Sequence, residues 1–208
     1  MRPPAVNTKG LDSSIAVDFS AYAGISYNSE TQKKQRAKVM KGIRRVVTGL
    51  DSGGNPVVTG DAEAPVIRGN ETLNAWAVDL WEMATVPPEL TDEGKLTTKG
   101  GFPESGSLVF RMVQLPPEST IRENMEEAKS YYGREVLIDS EEFGMHRSDT
   151  VDMIVILSGE VWMKLQGSDE VLLKAGDTLI QRGTGHTWRN RSQEPCIMAA
   201  VLVGTGSN

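Results

Sequence analysis

With 208 residues, 38% hydrophobic and 24% charged, the chain has apolar material for one domain plus an extension rather than for two full domains. A formal net charge of −6 offers a polyanion nothing to bind, which excludes nucleic acid as the expected partner, and no apolar run approaches the roughly 18 residues that cross a bilayer. The opening MRPPAVNTKGLDSS has no apolar leader core and Cys196 is the one cysteine, so no internal disulfide forms and a reducing cytoplasm is the expected setting.

The 21 glycines and 10 prolines are spread along the chain, as they are where many short strands are joined by turns. Residues 1–42 read as an N-terminal arm carrying a short helix, and 43–208 as a β domain. The helix is Ser29–Lys41, with Ser29 as N-cap and Gln32 three residues on. Its basic run, Lys33 to Arg45, reads as a solvated face rather than a phosphate contact, given the acidic total. IRRVVTGL (43–50), DSGG (51–54) and PVVTG (56–60) spell a hairpin with a glycine-rich turn. NAWAVDLWEMA (74–84) alternates in period two: Trp76, Val78 and Leu80 share one face, Asp79 and Trp81 the other. After a loop rich in Pro, Gly and charge (86–106), SLVFRMVQL (107–115) is a strand stopped by Pro116 and Pro117.

The period then changes. Thr120 and Glu123 form a capping box, Ile121, Met125, Ala128 and Tyr132 follow at helical spacing, and Gly133 supplies the stop. This predicts one short amphipathic helix, either a lid over a pocket or a packed insertion. Four β runs close the chain: REVLID (134–139), TVDMIVILSGEVWMKLQ (150–166), EVLLKAGDTLIQRG (170–183) and HTWRN leading into PCIMAAVLVG (186–204). Strands this dense, with no helix between them, predict an all-β barrel or sandwich.

Two stretches carry a family resemblance. FGMHRSDTVDMIVILSGE (143–160) resembles the first cupin motif, G-x5-H-x-H-x3-4-E-x6-G, with six residues separating Asp152 from Gly159. AGDTLIQRGTGHTWRN (175–190) resembles the second, G-x5-P-x-G-x2-H-x3-N. Gly176, Gly183, His186 and Asn190 take the family's places; Gln181 stands where Pro is usual, and one residue is missing after Gly176. The resemblance is strongest over 107–204. It implies an all-β double-stranded β-helix, a jelly-roll barrel, with an N-terminal extension and one or two short helices.

The resemblance also implies a metal site, and here the chain departs from the pattern. The second histidine of the first motif is absent, with Arg147, Ser148 and Asp149 in its neighbourhood, and Asp152 replaces the family's Glu. The chain's only two histidines, His146 and His186, both fall inside the motifs. Counting by two from Asp152 through Thr150 and Ser148 to His146 places all four on one side of a regular strand, so His146, Asp152 and His186 are expected to converge. Two imidazoles and a carboxylate with open positions suit a divalent metal: Fe(II) first, then Mn, Ni or Zn. Without metal, His146 and His186 become acid–base candidates tuned by Asp149 or Asp152. Arg182 is the candidate for a substrate carboxylate. Trp188 is either an aromatic wall or core filler, Gln114 a further inward side chain, and Cys196 a small core residue.

Three functions follow from the resemblance. One is a metal-dependent dioxygenase, decarboxylase or isomerase/lyase acting on a small organic or polyketide-like molecule. A second is a metal-free isomerase or dehydratase using histidine as acid and base. The third is a non-catalytic binder or accessory protein of a biosynthetic pathway. A homodimer is expected, with the arm covering an exposed sheet edge.

Overall fold

The computed structural model describes residues 42–64, 66–89, 94, 101–132 and 143–206. In chain order the strands are β1 (Arg44–Leu50), β2 (Pro56–Glu63), β3 (Val66–Asn70), β4 (Ala75–Met83) and β5 (Leu108–Leu115). Then come helices α1 (Glu118–Glu123) and α2 (Met125–Tyr132), followed by β6 (Thr150–Ser158), β7 (Glu160–Leu165), β8 (Glu170–Lys174), β9 (Thr178–Arg182), β10 (His186–Arg189) and β11 (Cys196–Gly204). They form an antiparallel six-stranded sheet in the order β3-β4-β5-β11-β6-β9, a three-stranded sheet β10-β7-β8, and the separate hairpin β1-β2. This is the jelly-roll arrangement expected of the motifs. The Ser29–Lys41 helix and the REVLID strand lie outside the described residues, and no helix among the described residues is long and apolar enough to cross a membrane.

Period-two patterning builds the core. On β6, Thr150, Asp152, Ile154 and Ile156 are buried while Met153 and Leu157 are exposed; on β11, Cys196, Met198, Ala200 and Leu202 are buried. The apolar members of this set meet Val161 and Met163 of β7 and Leu173 of β8 in one cluster. Each fully buried aliphatic side chain there contributes about 1.5–3 kcal/mol.

Two runs that read as single strands fold back at glycines and change sheet. Gly159 separates β6 from β7 with φ +73°, and a Cβ there would lie 2.5 Å from the Pro195 carbonyl oxygen. Only glycine permits both the backbone and the approach. Gly176, at φ +95° with open space around it, turns the chain between β8 and β9. Through these reversals the strand bearing Asp152 and the strand bearing His186 reach one interior.

Other readings need correction. The helix is two pieces broken at Asn124 (φ −130°, ψ 51°), whose side-chain amide donates to the Thr120 carbonyl at 2.9 Å. Pro117 occupies the N-cap position and no side chain caps it, so Thr120 sits inside the first turn and the capping box does not form. On β4 a bulge between Asp79 and Trp81 puts Trp81 opposite Phe110. An extra residue in a pleated strand reverses the facing of the residues beyond it. Trp81 therefore joins the face of Leu80 and Phe110 rather than that of Asp79.

Candidate metal centre

His146 and His186 stand directly opposite each other across an antiparallel bridge. Each backbone N–H donates to the other's carbonyl at 2.9 Å, and the ring centroids are 4.3 Å apart. His186 opens β10 and is buried; His146 is half-buried. The segment before His146 is pinned from β10. The Thr187 hydroxyl donates to the Phe143 carbonyl at 2.6 Å. Gly144 takes φ +72°, and a Cβ on it would come within 2.9 Å of that same hydroxyl oxygen.

Hydrogen-bond accounting assigns the tautomers. His146 Nδ1 lies 2.8 Å from the Gly144 carbonyl oxygen. That oxygen only accepts, so Nδ1 carries the hydrogen and Nε2 keeps its lone pair. His186 Nδ1 lies 3.0 Å from the Thr184 carbonyl and 2.9 Å from Gln181 Nε2. The two N–H groups of Gln181 go to the Thr184 carbonyl (2.8 Å) and hydroxyl (2.5 Å), so His186 Nδ1 is again the donor. Both rings present a bare Nε2, the tautomer that backbone carbonyls impose on metal-ligating histidines. Burial, and secondarily the neighbouring His146, holds the His186 pKa below the usual imidazole value, although the Thr184 carbonyl pulls it up.

Asp152 lies on β6 directly across from Gln181 of β9 and Leu202 of β11. Its carboxyl pKa is raised, first by burial; the Thr150 hydroxyl bond and the charges of His146 and Arg111 act the other way. Thr150 is bonded in turn to the Ser148 hydroxyl at 2.8 Å. Ser148 thus takes the place of the missing histidine with a hydroxyl that buttresses the carboxylate. Asp152 Oδ1 is sealed from water and has no hydrogen-bond partner.

Two bare imidazole nitrogens side by side, and a buried carboxylate with an unpartnered oxygen, are the donor types a divalent cation takes. In spacing the match is partial. The two imidazoles are in contact, but among the described residues no three His, Cys, Asp or Glu side chains stand close enough to hold one ion.

The other candidates divide. Trp188 meets the His186 ring edge-on at 5.6 Å between centroids and packs against the interior cluster, so it is both wall and core. Arg182 is exposed, and strand alternation puts it on the face of β9 opposite Gln181. Gln114 is buried on the face of β5 shared with Phe110 and Met112, and its amide donates to the Asn74 carbonyl at 2.6 Å. Cys196 is a core residue whose thiol burial pushes up to about 12. A groove of about 440 Å³, lined by Arg44, Arg45, Leu80, Trp81 and Phe110 among others, lies on that same outer face of β4 and β5, away from the imidazoles.

Two residues of the site escaped sequence reasoning. Phe102 stacks on the His146 ring at 6.3 Å and 25°; it lies in an irregular loop with no period to read. Arg111 projects inward from β5. Its Nε donates to Asp79 Oδ1 at 2.5 Å, and its Nη2 to Asp79 Oδ2 at 3.0 Å and to the Gly101 carbonyl at 2.9 Å. Alternation in SLVFRMVQL already sets Arg111 in register with Val109 and Val113.

The strained carboxylate has a measurable consequence. Burial raises the folded pKa of Asp152 above its unfolded value, so folding is progressively penalised as pH rises from the unfolded towards the folded value, and the penalty persists at neutral pH. Metal-free Asp152→Asn is expected to melt about 2–4 °C higher than wild type at pH 7, roughly 1 kcal/mol for a chain of this size. The gain should vanish below the ordinary carboxylate range, where both states are protonated. Calorimetric scans across pH check it; a lower melting temperature at pH 7 contradicts the reading of Asp152 as a strained group.

Known proteins resemble this chain. It is 28% identical over 171 residues to phomopsin biosynthesis cluster protein D of Diaporthe leptostromiformis, covering 79% of this chain and 78% of that protein. It is 27% identical over 167 residues to a cupin-domain-containing oxidoreductase of Neurospora crassa, covering 76% and 72%. Over a shorter stretch of 58 residues it is 46% identical to oryzines biosynthesis cluster protein J of Aspergillus oryzae, covering 28% and 32%. Residues 134–203, which span both motifs and both imidazoles, match the cupin domain model, and that segment of the chain is a cupin domain.

Proposed function

We propose that this cupin-domain protein is a metal-dependent enzyme that modifies a small organic molecule within a biosynthetic pathway, with His146, His186 and Asp152 as its protein ligands. The observation that carries the reading is the pair of bare Nε2 atoms. Each ring spends its Nδ1–H on a carbonyl two residues upstream, so the chain fixes both lone pairs before any ion arrives, and fixed donors bind with little reorganisation. Asp152 Oδ1, buried and unpartnered, supports a third donor reached by rotation of its side chain. A bound Fe(II), or Mn, Ni or Zn, would supply Lewis acidity and open coordination positions for substrate oxygen and dioxygen. Trp188 and Phe102 would pack the substrate body and exclude water. The likeness to an oxidoreductase and to biosynthesis cluster proteins supports oxidative chemistry of the dioxygenase kind over decarboxylation or isomerisation. The apolar Met153, Leu157 and Ile180 exposed on β6 and β9 support a homodimer, and a cytoplasmic setting completes the reading.

The test is elemental analysis of protein purified without chelator, followed by dioxygen uptake with candidate phenols and keto acids after Fe(II) loading. About one equivalent of metal per chain is expected. A metal-free protein that still turns over substrate would favour the second reading, in which His146 and His186 act as base and acid. The observation favouring that alternative is that no third His, Cys, Asp or Glu side chain joins the imidazoles in a group able to hold an ion among the described residues.

A further inference from the structure

Arg111 is an unusual residue for the interior of this barrel. It pairs with Ala200 of β11 and Asp79 of β4, and its neighbour in register, Val113, packs on the interior cluster. Its side chain is 11% exposed. Ala200, opposite it on β11, is small, and the Arg111 charge acts on the Asp152 carboxyl. Nε and Nη2 are engaged by Asp79 and Gly101, whereas Nη1 makes no hydrogen bond among the described residues. The buried polar atoms without a partner do not include Nη1, so that edge is open to water. The Gly101 carbonyl that Arg111 holds precedes Phe102, which lies on the His146 ring. One guanidinium, two aromatic rings and two imidazoles therefore follow one another in a continuous run of contacts. Arg182, the arginine the motif suggests, is not part of that run.

We propose that Arg111 is the carboxylate anchor of this site: its Nη1 edge takes the carboxylate of a small organic acid whose apolar body lies against Phe102 and Trp188. The proposal rests on the reading of the imidazole pair as the reaction centre and adds its substrate class. A charge-assisted bond of this kind discriminates a carboxylate from its neutral amide by about 10-fold or more. Asp79 competes with the ligand for the same cation, so removing the Asp79 charge should strengthen binding, whereas an arginine serving only to neutralise Asp79 would gain no ligand.

The experiment titrates the full chain calorimetrically with benzoate and with benzamide, in metal-free and metal-loaded protein. Benzoate is expected to bind at least about 10-fold more tightly than benzamide. Asp79→Asn should tighten benzoate about 5-fold or more, and Arg111→Gln should abolish the preference. His186→Ala should keep it, since the anchor is not the metal. Equal binding of the two ligands overturns the proposal, as does a preference that survives Arg111→Gln or is lost in Arg182→Gln. An Asp79→Asn protein that binds benzoate no better overturns it too, and this holds even where Arg111→Gln does not fold. A preference confined to metal-loaded protein and lost in His186→Ala places the carboxylate on the metal and also overturns it. Failure of the metal reading is seen separately, as absence of metal.

Discussion

His186→Ala and His146→Ala are each expected to weaken metal retention by at least about 100-fold, leaving protein purified without chelator essentially metal-free. Changes to the partners that merely orient a ligand cost 10–100-fold, so loss of a primary donor costs no less. The fold should survive. Removing the His186 ring leaves the Gln181 amide bonded to the Thr184 carbonyl and hydroxyl, and the backbone bonds between residues 146 and 186 do not involve the side chains. Competition with protons gives a second readout. Burial holds the His186 pKa below the usual imidazole value, so this donor stays available to a lower pH than a free imidazole would, and retention should fall as pH is lowered and protons compete for the ring nitrogens. Elemental analysis and isothermal titration with Zn(II) at several pH values measure both effects. Wild-type metal content in either variant would remove the imidazole pair from the site.

Much of this arrangement was legible in the chain because it depends on period. The alternation of TVDMIVILS and CIMAAVLVG determines which side chains turn inward, and both strands bury the set that alternation selects. The positions of His146 and His186 inside two motif-like stretches marked them as partners, and the bridge between them brings the rings into contact. The illegible parts depend on single-residue departures from period or on long-range contacts. The bulge at Asp79–Trp81 reverses one tryptophan, and nothing local in NAWAVDLWEMA announces it. Pro117 rather than Thr120 begins the helix because Glu118 N–H is taken by the Asn190 carbonyl, a contact distant in sequence, while the Glu118 carboxylate pairs with Arg189. The rotamer of the Asp152 side chain is likewise something that strand register does not determine.

The ion pair inside the barrel leads to the largest expected change in stability. Arg111→Met is expected to lower the melting temperature by about 6–20 °C. The pair is bidentate, and its side chains are only 11% and 7% exposed. Truncating one partner strands the other charge in the interior, at about 3–5 kcal/mol, and each kcal/mol moves a chain of this length by about 2–4 °C. Burial, not bond geometry, decides the size of the effect. Arg44 and Asp61 make an equally good bidentate pair at 2.6 and 2.7 Å, yet their side chains are 70% and 45% exposed, so Arg44→Met should leave the melting temperature unchanged because solvent screens both charges. A double replacement, Asp79→Leu with Arg111→Met, should recover most of the lost stability, since the cost lies in the stranded charge rather than in the missing attraction. Thermal unfolding of the two singles and the double separates these terms. If the double is as unstable as Arg111→Met alone, the interior depends on the guanidinium for packing, for instance through its hold on the Gly101 carbonyl, and the electrostatic account of β4 and β5 fails.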